Sequence, residues 1–133
     1  MRKLIVDASA ITAMYVSDDL RGRRIRGRLS VGGELFAPAH IDVEVASALR
    51  GLAQRHPGVV TIAPTALEHL AGYAIRRMPL APLLSRMWSL RDQLTAYDAA
   101  YVALAEMVDA PVLTCDVKMT RATQARCEWE LLA

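Results

Sequence analysis

Two short apolar runs at opposite ends of the chain, Leu4-Ile5-Val6 and Val112-Leu113-Thr114-Cys115, each lead directly into an aspartate, Asp7 and Asp116. Continuous β-rich runs of this length suit strands covered on both faces, because a strand with one wet face would alternate polar and apolar residues. Strands of that kind belong to parallel sheets, whose connections are usually helices. The sequence between the two runs supplies such helices. Ile41, Val45, Ala48, Leu49 and Leu52 recur at helical spacing between His40 and Gln54. Thr95 to Val108 is the clearest helix, with a stripe of Tyr97, Tyr101, Leu104 and Val108. Thr95 stands as its N-cap and Asp98 follows in the position of a capping box, with Asp in place of the usual Glu or Gln. Asp109-Ala110-Pro111 ends that helix.

The same rules place the remaining elements. Lys3 to Val6 is a strand and Ala10 to Val16 a helix. A second helix starts at Asp18-Asp19 and runs to about Leu29, where Gly32-Gly33 stops it. Glu34 to Ala37 reads as a strand closed by Pro38, and His56-Pro57-Gly58 as a break. A helix is expected from Pro64 or Thr65 through Leu67, Leu70 and Ala71, then a strand from Tyr73 to Met78. Leu80 to Leu90 reads as a helix with Leu83, Met87 and Leu90 inward. A further helix is expected after Asp116, and a closing strand from Trp129 to Leu132. With no repeat or linker, residues 1–133 read as one α/β domain with a mostly parallel sheet covered on both faces. Hydrophobic residues make up 53% of the chain but aromatics only 5%, so the core must be aliphatic.

Charge narrows the function less than its placement does. Sixteen basic and 14 acidic residues leave a net charge of +2, which does not by itself mark a nucleic-acid binder. Yet Arg21, Arg23, Arg24, Arg26 and Arg28 crowd one stretch. They suit RNA phosphates, an acidic segment of a partner protein, or a solvated helix face with Ile25 and Leu29 inward. Arg86 and Arg91 precede the Thr95 helix, where Arg86 either points into a substrate groove or pairs at the surface. Cys115 and Cys127 match no zinc or redox spacing and read as reduced thiols in a cytoplasmic protein. His40, His56 and His69 are too scattered to suggest an imidazole metal site. The run after Arg2-Lys3 is cut at Asp7, too early for a leader peptide, and no stretch reaches the ~18 uncharged residues of a membrane helix.

The chemistry lies in the carboxylates. In a parallel sheet Asp7 and Asp116 emerge at the same carboxyl edge, where ligands bind. Asp98 lies in the first turn of its helix and Glu44 near the start of its own, so all four acids are able to meet on one rim. Converging carboxylates repel and raise one another's pKa, and a hard divalent cation such as Mg²⁺ removes the conflict. It also activates water for attack on a phosphate. Singly, each acid has a plain explanation: Asp7 and Asp116 as helix caps, Asp98 as part of a capping box, Glu44 as a solvated helix residue. What these explain less well is why two buried strands both end in Asp.

Taken together, Val6-Asp7-Ala8-Ser9-Ala10, Glu44 in an apolar helix, the block from Leu94 to Glu106 and Leu113-Thr114-Cys115-Asp116 resemble the PIN-domain ribonucleases, and within them the VapC toxins of type II toxin–antitoxin pairs. The likeness spans almost the whole chain, and the Thr95–Glu106 block is its most specific part. It implies a three-layer α/β/α sandwich and an endoribonuclease that hydrolyses RNA with metal-activated water. It implies Mg²⁺, or Mn²⁺, held by Asp7, Glu44, Asp98 and Asp116, with Ser9 and Thr114 supporting the acidic pocket. It also implies a homodimer silenced by a cognate antitoxin, and leaves Arg21, Arg24, Arg28 and Arg86 as RNA or antitoxin contacts. Two competing readings are a metal-dependent phosphatase on the same rim and a weakly active domain that serves as an RNA- or protein-binding module. The first lacks a Lys and Ser/Thr constellation beyond Lys118 near Asp116. The second leaves the retained carboxylates unexplained.

Overall fold

Both apolar runs lie at the centre of a five-stranded parallel sheet in the computed structural model, which describes residues 2–133. In chain order the elements are β1 (Lys3–Val6), α1 (Ala8–Val16), α2 (Leu20–Ser30), β2 (Glu34–Pro38), α3 (Ile41–Ala53), α4 (Pro57–Gly72), β3 (Ile75–Met78), α5 (Leu84–Ser89), α6 (Ala96–Val108), β4 (Val112–Thr114) and β5 (Trp129–Leu131). The strand order is β3-β2-β1-β4-β5, with Ile5 opposite Phe36 on one side and Val112 on the other. The chain winds outward from β1 through β2 to β3, then crosses back to β4 and β5. The reversal point between β1 and β4 is where a doubly wound sheet opens a ligand crevice. Helices α1, α3 and α4 pack together, while α5 and α6 pack together and α6 lies against β1, β2 and β4, giving three layers. Ile5, Val6, Val112 and Leu113 are fully buried, which explains their unbroken apolar character.

Local chemistry sets several boundaries. Gly32 and Gly33 have φ of +91° and +120°, a region costly for any other residue, and a Cβ on Gly33 would come within 2.7 Å of the Arg2 carbonyl. The turn they form lets Glu34 N–H donate to that carbonyl at 2.8 Å, starting the β1–β2 ladder. Asp109 closes α6 in the left-handed region at φ 56°.

Four sequence expectations are corrected. First, α4 begins at Pro57, not Pro64: Pro57 takes the first helical position, where a missing N–H costs nothing. Pro64 sits inside the helix on its exposed side. Second, the Leu80–Leu90 helix is split into a tight 3₁₀ turn over Ala81–Leu83 and the short α5, with Leu83 and Leu90 buried as expected. Third, no α-helix follows Asp116; Met119–Arg121 form only a 3₁₀ turn. There Asp116 Oδ1 accepts from Lys118 N–H at 3.0 Å and Thr120 Oγ1 donates to the Val117 carbonyl at 2.7 Å. Such local bonds compete with helix propagation. Fourth, Tyr97 does not join the inward stripe of α6 but is 65% exposed, whereas Tyr101 and Leu104 are buried.

Candidate active site

Asp7 is the centre of the site. It ends β1 and caps α1, with its Oδ1 accepting from Ala10 N–H at 2.9 Å. The same oxygen accepts from Ser9 Oγ at 2.7 Å, and Oδ2 accepts from Thr114 Oγ1 at 2.5 Å. Thr114 is the last residue of β4 and fully buried, so the bond ties the ends of the two central strands together. Ser9 Oγ in turn accepts from Cys115 N–H at 3.0 Å, and Thr114 Oγ1 accepts from Asp116 N–H at 2.9 Å. Side-chain hydroxyls therefore set the backbone that presents Asp116. A carboxylate has about four acceptor positions. Three on Asp7 are filled, and the remaining one is on Oδ2.

Asp98 enters from the first turn of α6, where Thr95 Oγ1 caps the helix by accepting from Asp98 N–H at 3.2 Å. Glu44 enters from the first turns of α3. Its Oε1 accepts from Tyr101 Oη at 2.7 Å and lies 2.9 Å from His40 Nε2. His40 Nε2 is also 3.1 Å from the Tyr97 carbonyl. Helices α1, α3 and α6 all start at this edge, so their positive ends face the acids.

The charges act on one another. Burial raises the Asp7 carboxyl to about 6, against the lowering effect of its bonds from Thr114, Ser9 and Ala10, and the Asp98 charge adds to the rise. Burial likewise raises Asp98, reinforced by the charges of Asp116 and Glu44. The bond to Glu44 holds His40 above its ordinary value, and burial with the Glu44 bond pushes the Tyr101 hydroxyl far up, so Tyr101 stays a donor.

All four acids line one open groove of about 1290 Å³, together with Ser9, Tyr101 and Cys115. Among the described residues no three His, Cys, Asp or Glu side chains form a ready cage for an ion. Four carboxylates along one groove nonetheless offer the hard oxygens that suit Mg²⁺, which keeps several waters and needs only one or two carboxylates directly. Asp7 in particular gains from a neighbouring cation, since burial already opposes its charge.

Of the arginines singled out in the sequence, Arg21 lines this groove. Arg24 is exposed on α2. Arg28 is held by Glu130 in a two-point pair at 2.6 and 3.1 Å, and Arg86 by Glu106 at 2.7 and 3.1 Å, the latter away from the acids. Tyr101 and His40 were not singled out for the site. The i,i+4 spacing of His40 and Glu44 was a readable signal. Nothing local could have paired Tyr101 with Glu44, 57 positions away.

Residues 4–124 match the PIN domain. The chain belongs to the PIN-domain family. It is 37% identical over 125 residues to Ribonuclease VapC9 of Mycobacterium tuberculosis, covering 93% of this chain and 94% of that protein. It is 41% identical over 122 residues to Ribonuclease VapC3 of the same species, covering 90% and 87%. Within the PIN family it is therefore a member of the VapC ribonucleases. The crystal structure of Mycobacterium tuberculosis VapC20, described as a sarcin-ricin loop cleaving toxin, shares the fold with a TM-score of 0.70 at 16% identity, covering 90% of this chain and 95% of that one. The three-layer architecture with a mostly parallel sheet expected from the sequence is observed, and every strand pairing in it is parallel.

Proposed function

We propose that this PIN-domain protein is the toxin of a type II toxin–antitoxin pair and hydrolyses RNA phosphodiester bonds at Asp7, Glu44, Asp98 and Asp116. The observation that carries this reading is that four carboxylates line one groove: Asp7 after β1, Glu44 and Asp98 in the first turns of α3 and α6, and Asp116 just past β4. Asp7 and Asp98 are assigned the principal contacts to Mg²⁺ or Mn²⁺, and Asp116 a direct or water-bridged one. When bound, the cation supplies Lewis acidity and lowers the pKa of water at neutral pH. Glu44 offers an oxygen that orients the attacking water or a second ion. Ser9 and Thr114 lock Asp7 in place through its two carboxylate oxygens. Arg21, which lines the groove, is assigned a phosphate of the RNA strand.

The groove favours a polymer over a small ester. At about 1290 Å³ and open to solvent, it exceeds the ~300–1,000 Å³ of a pocket that envelops a small molecule. A cognate antitoxin that blocks the groove, and self-association as a homodimer, complete the reading. No described helix is long and apolar enough to cross a membrane. The test is cleavage of RNA and of a small phosphate monoester with Mg²⁺, with EDTA, and by Asp98→Asn. RNA cleavage that needs the metal and vanishes in Asp98→Asn supports the reading. Full activity of a folded Asp98→Asn protein overturns it, and hydrolysis of the monoester alone would move the assignment to a phosphatase. Light scattering behind a sizing column reads the oligomeric state.

A further inference from the structure

The environment of Glu44 is asymmetric. Tyr101 Oη donates to Oε1 at 2.7 Å, and His40 Nε2 stands 2.9 Å from the same atom. Nε2 otherwise faces only the Tyr97 carbonyl, another acceptor, so this nitrogen carries the ring hydrogen. Oε1 thus accepts the Tyr101 hydrogen bond and lies in close ionic contact with His40, whose single Nε2–H also serves the Tyr97 carbonyl, while Oε2 makes no hydrogen bond to a described residue. The two donors are themselves braced. Tyr101 is 1% exposed within α6, and the His40 and Tyr101 rings meet edge to face with centroids 5.3 Å apart. His40 and Glu44 lie one turn apart, which aligns them without strain.

We infer that His40 and Tyr101 are positioning residues that hold Glu44 by its Oε1 and leave Oε2 as the oxygen available to a cation. The inference rests on the metal reading given above and sharpens the role of Glu44 within it. Without the clamp, a partly exposed glutamate would swing between rotamers, and each cation bound would have to order it first. Partners of this outer kind typically change metal affinity or activity roughly 10- to 100-fold when removed. Neither His40 nor Tyr101 is assigned contact with RNA.

The experiment titrates Mn²⁺ alone into the metal-free full chain by calorimetry, with circular dichroism and thermal melts on each variant. Tyr101→Phe, which removes only the hydroxyl, and His40→Leu should each weaken Mn²⁺ binding roughly tenfold or more. His40→Gln, whose amide nitrogen reaches as far as Nε2, should recover most of the affinity. In RNA cleavage, Tyr101→Phe should raise the Mg²⁺ concentration giving half-maximal rate while leaving KM for RNA unchanged at saturating Mg²⁺. Wild-type Mn²⁺ affinity in both Tyr101→Phe and His40→Leu, beside lost binding in Asp98→Asn, overturns the clamp and leaves the site intact. A lowered melting temperature with unchanged affinity overturns it too, since the role is then structural. Wild-type binding by Asp98→Asn overturns the metal reading, and the clamp with it.

Discussion

Asp7 carries an unfavourable charge by design of its surroundings. It is 4% exposed, and burial holds its carboxyl near 6 despite the three bonds it accepts. Relative to an ordinary aspartate at 3.8, that rise costs the ionised folded state on the order of 3 kcal/mol near neutral pH. The sign follows from the raised value: folding favours the protonated form. Metal-free protein should therefore become more stable as pH falls from 7.5 through about 6 toward 4. Asp7→Asn should raise the melting temperature in EDTA at pH 7.5, flatten that pH dependence and abolish RNA cleavage. A melting temperature in EDTA that falls in Asp7→Asn would show that the lost ionic hydrogen bonds outweigh the relieved burial. Asp7 was legible from the sequence because a strand-terminal Asp is a local pattern; its charge burden was not, because burial is a property of the packed neighbours.

At the scale of elements, the segment from Ala122 to Glu128 has no regular structure, and α5 and α6 hold it. Arg86 of α5 pairs with Glu106 of α6 and donates to the Gln124 carbonyl at 2.8 Å, while Glu106 Oε2 accepts from Arg126 N–H at 2.9 Å. Gln93 Oε1 accepts from Gln124 N–H at 2.8 Å and its amide donates to Thr123 Oγ1 at 2.7 Å. These bonds bring the chain to β5, so they replace the helix expected after Asp116. Burial pushes Glu106 up, but the bonds from Arg86 and Arg126 prevail and its carboxyl lies below the ordinary value. That stability is present above about pH 4.5 and lost as pH falls through the depressed value. Arg86→Ala should cost roughly 1–3 kcal/mol in urea unfolding at pH 7, because it strips charged hydrogen bonds. The loss should shrink as pH falls through the depressed Glu106 value, and a loss that stays constant across that acid range would deny the ion pair its role.

Across the whole molecule, the groove and the basic helix α2 adjoin at one side, and only part of the arginine cluster faces RNA in the proposed complex. Arg21→Glu should weaken RNA binding and lower its salt dependence by about one phosphate contact. Arg28→Glu should act chiefly on stability, because Arg28 spans α2 and β5 through Glu130. Filter binding over a salt series, run beside thermal melts, separates the two, and the reverse pattern would exchange their roles. Sequence periodicity could not sort these arginines, since α2 exposes most of its circumference and only the sheet edge decides which side meets the groove.

What the residues determined by themselves was the class of fold and the acids on offer. Continuous β-rich runs dictate strands buried on both faces, and such strands dictate helical crossovers. Two of those runs ending in Asp place acids at a common edge once the strands are parallel. Folding decided the rest, because it depends on contacts distant along the chain. The order β3-β2-β1-β4-β5 sets Asp7 beside Thr114, 107 positions away, and α6 brings Tyr101 to Glu44. No window of local sequence holds both members of either pair. The four acids are thus written in the chain, with Ser9 and Thr114 expected beside them from the resemblance, while the bond from Tyr101 that aims Glu44 belongs to the tertiary structure.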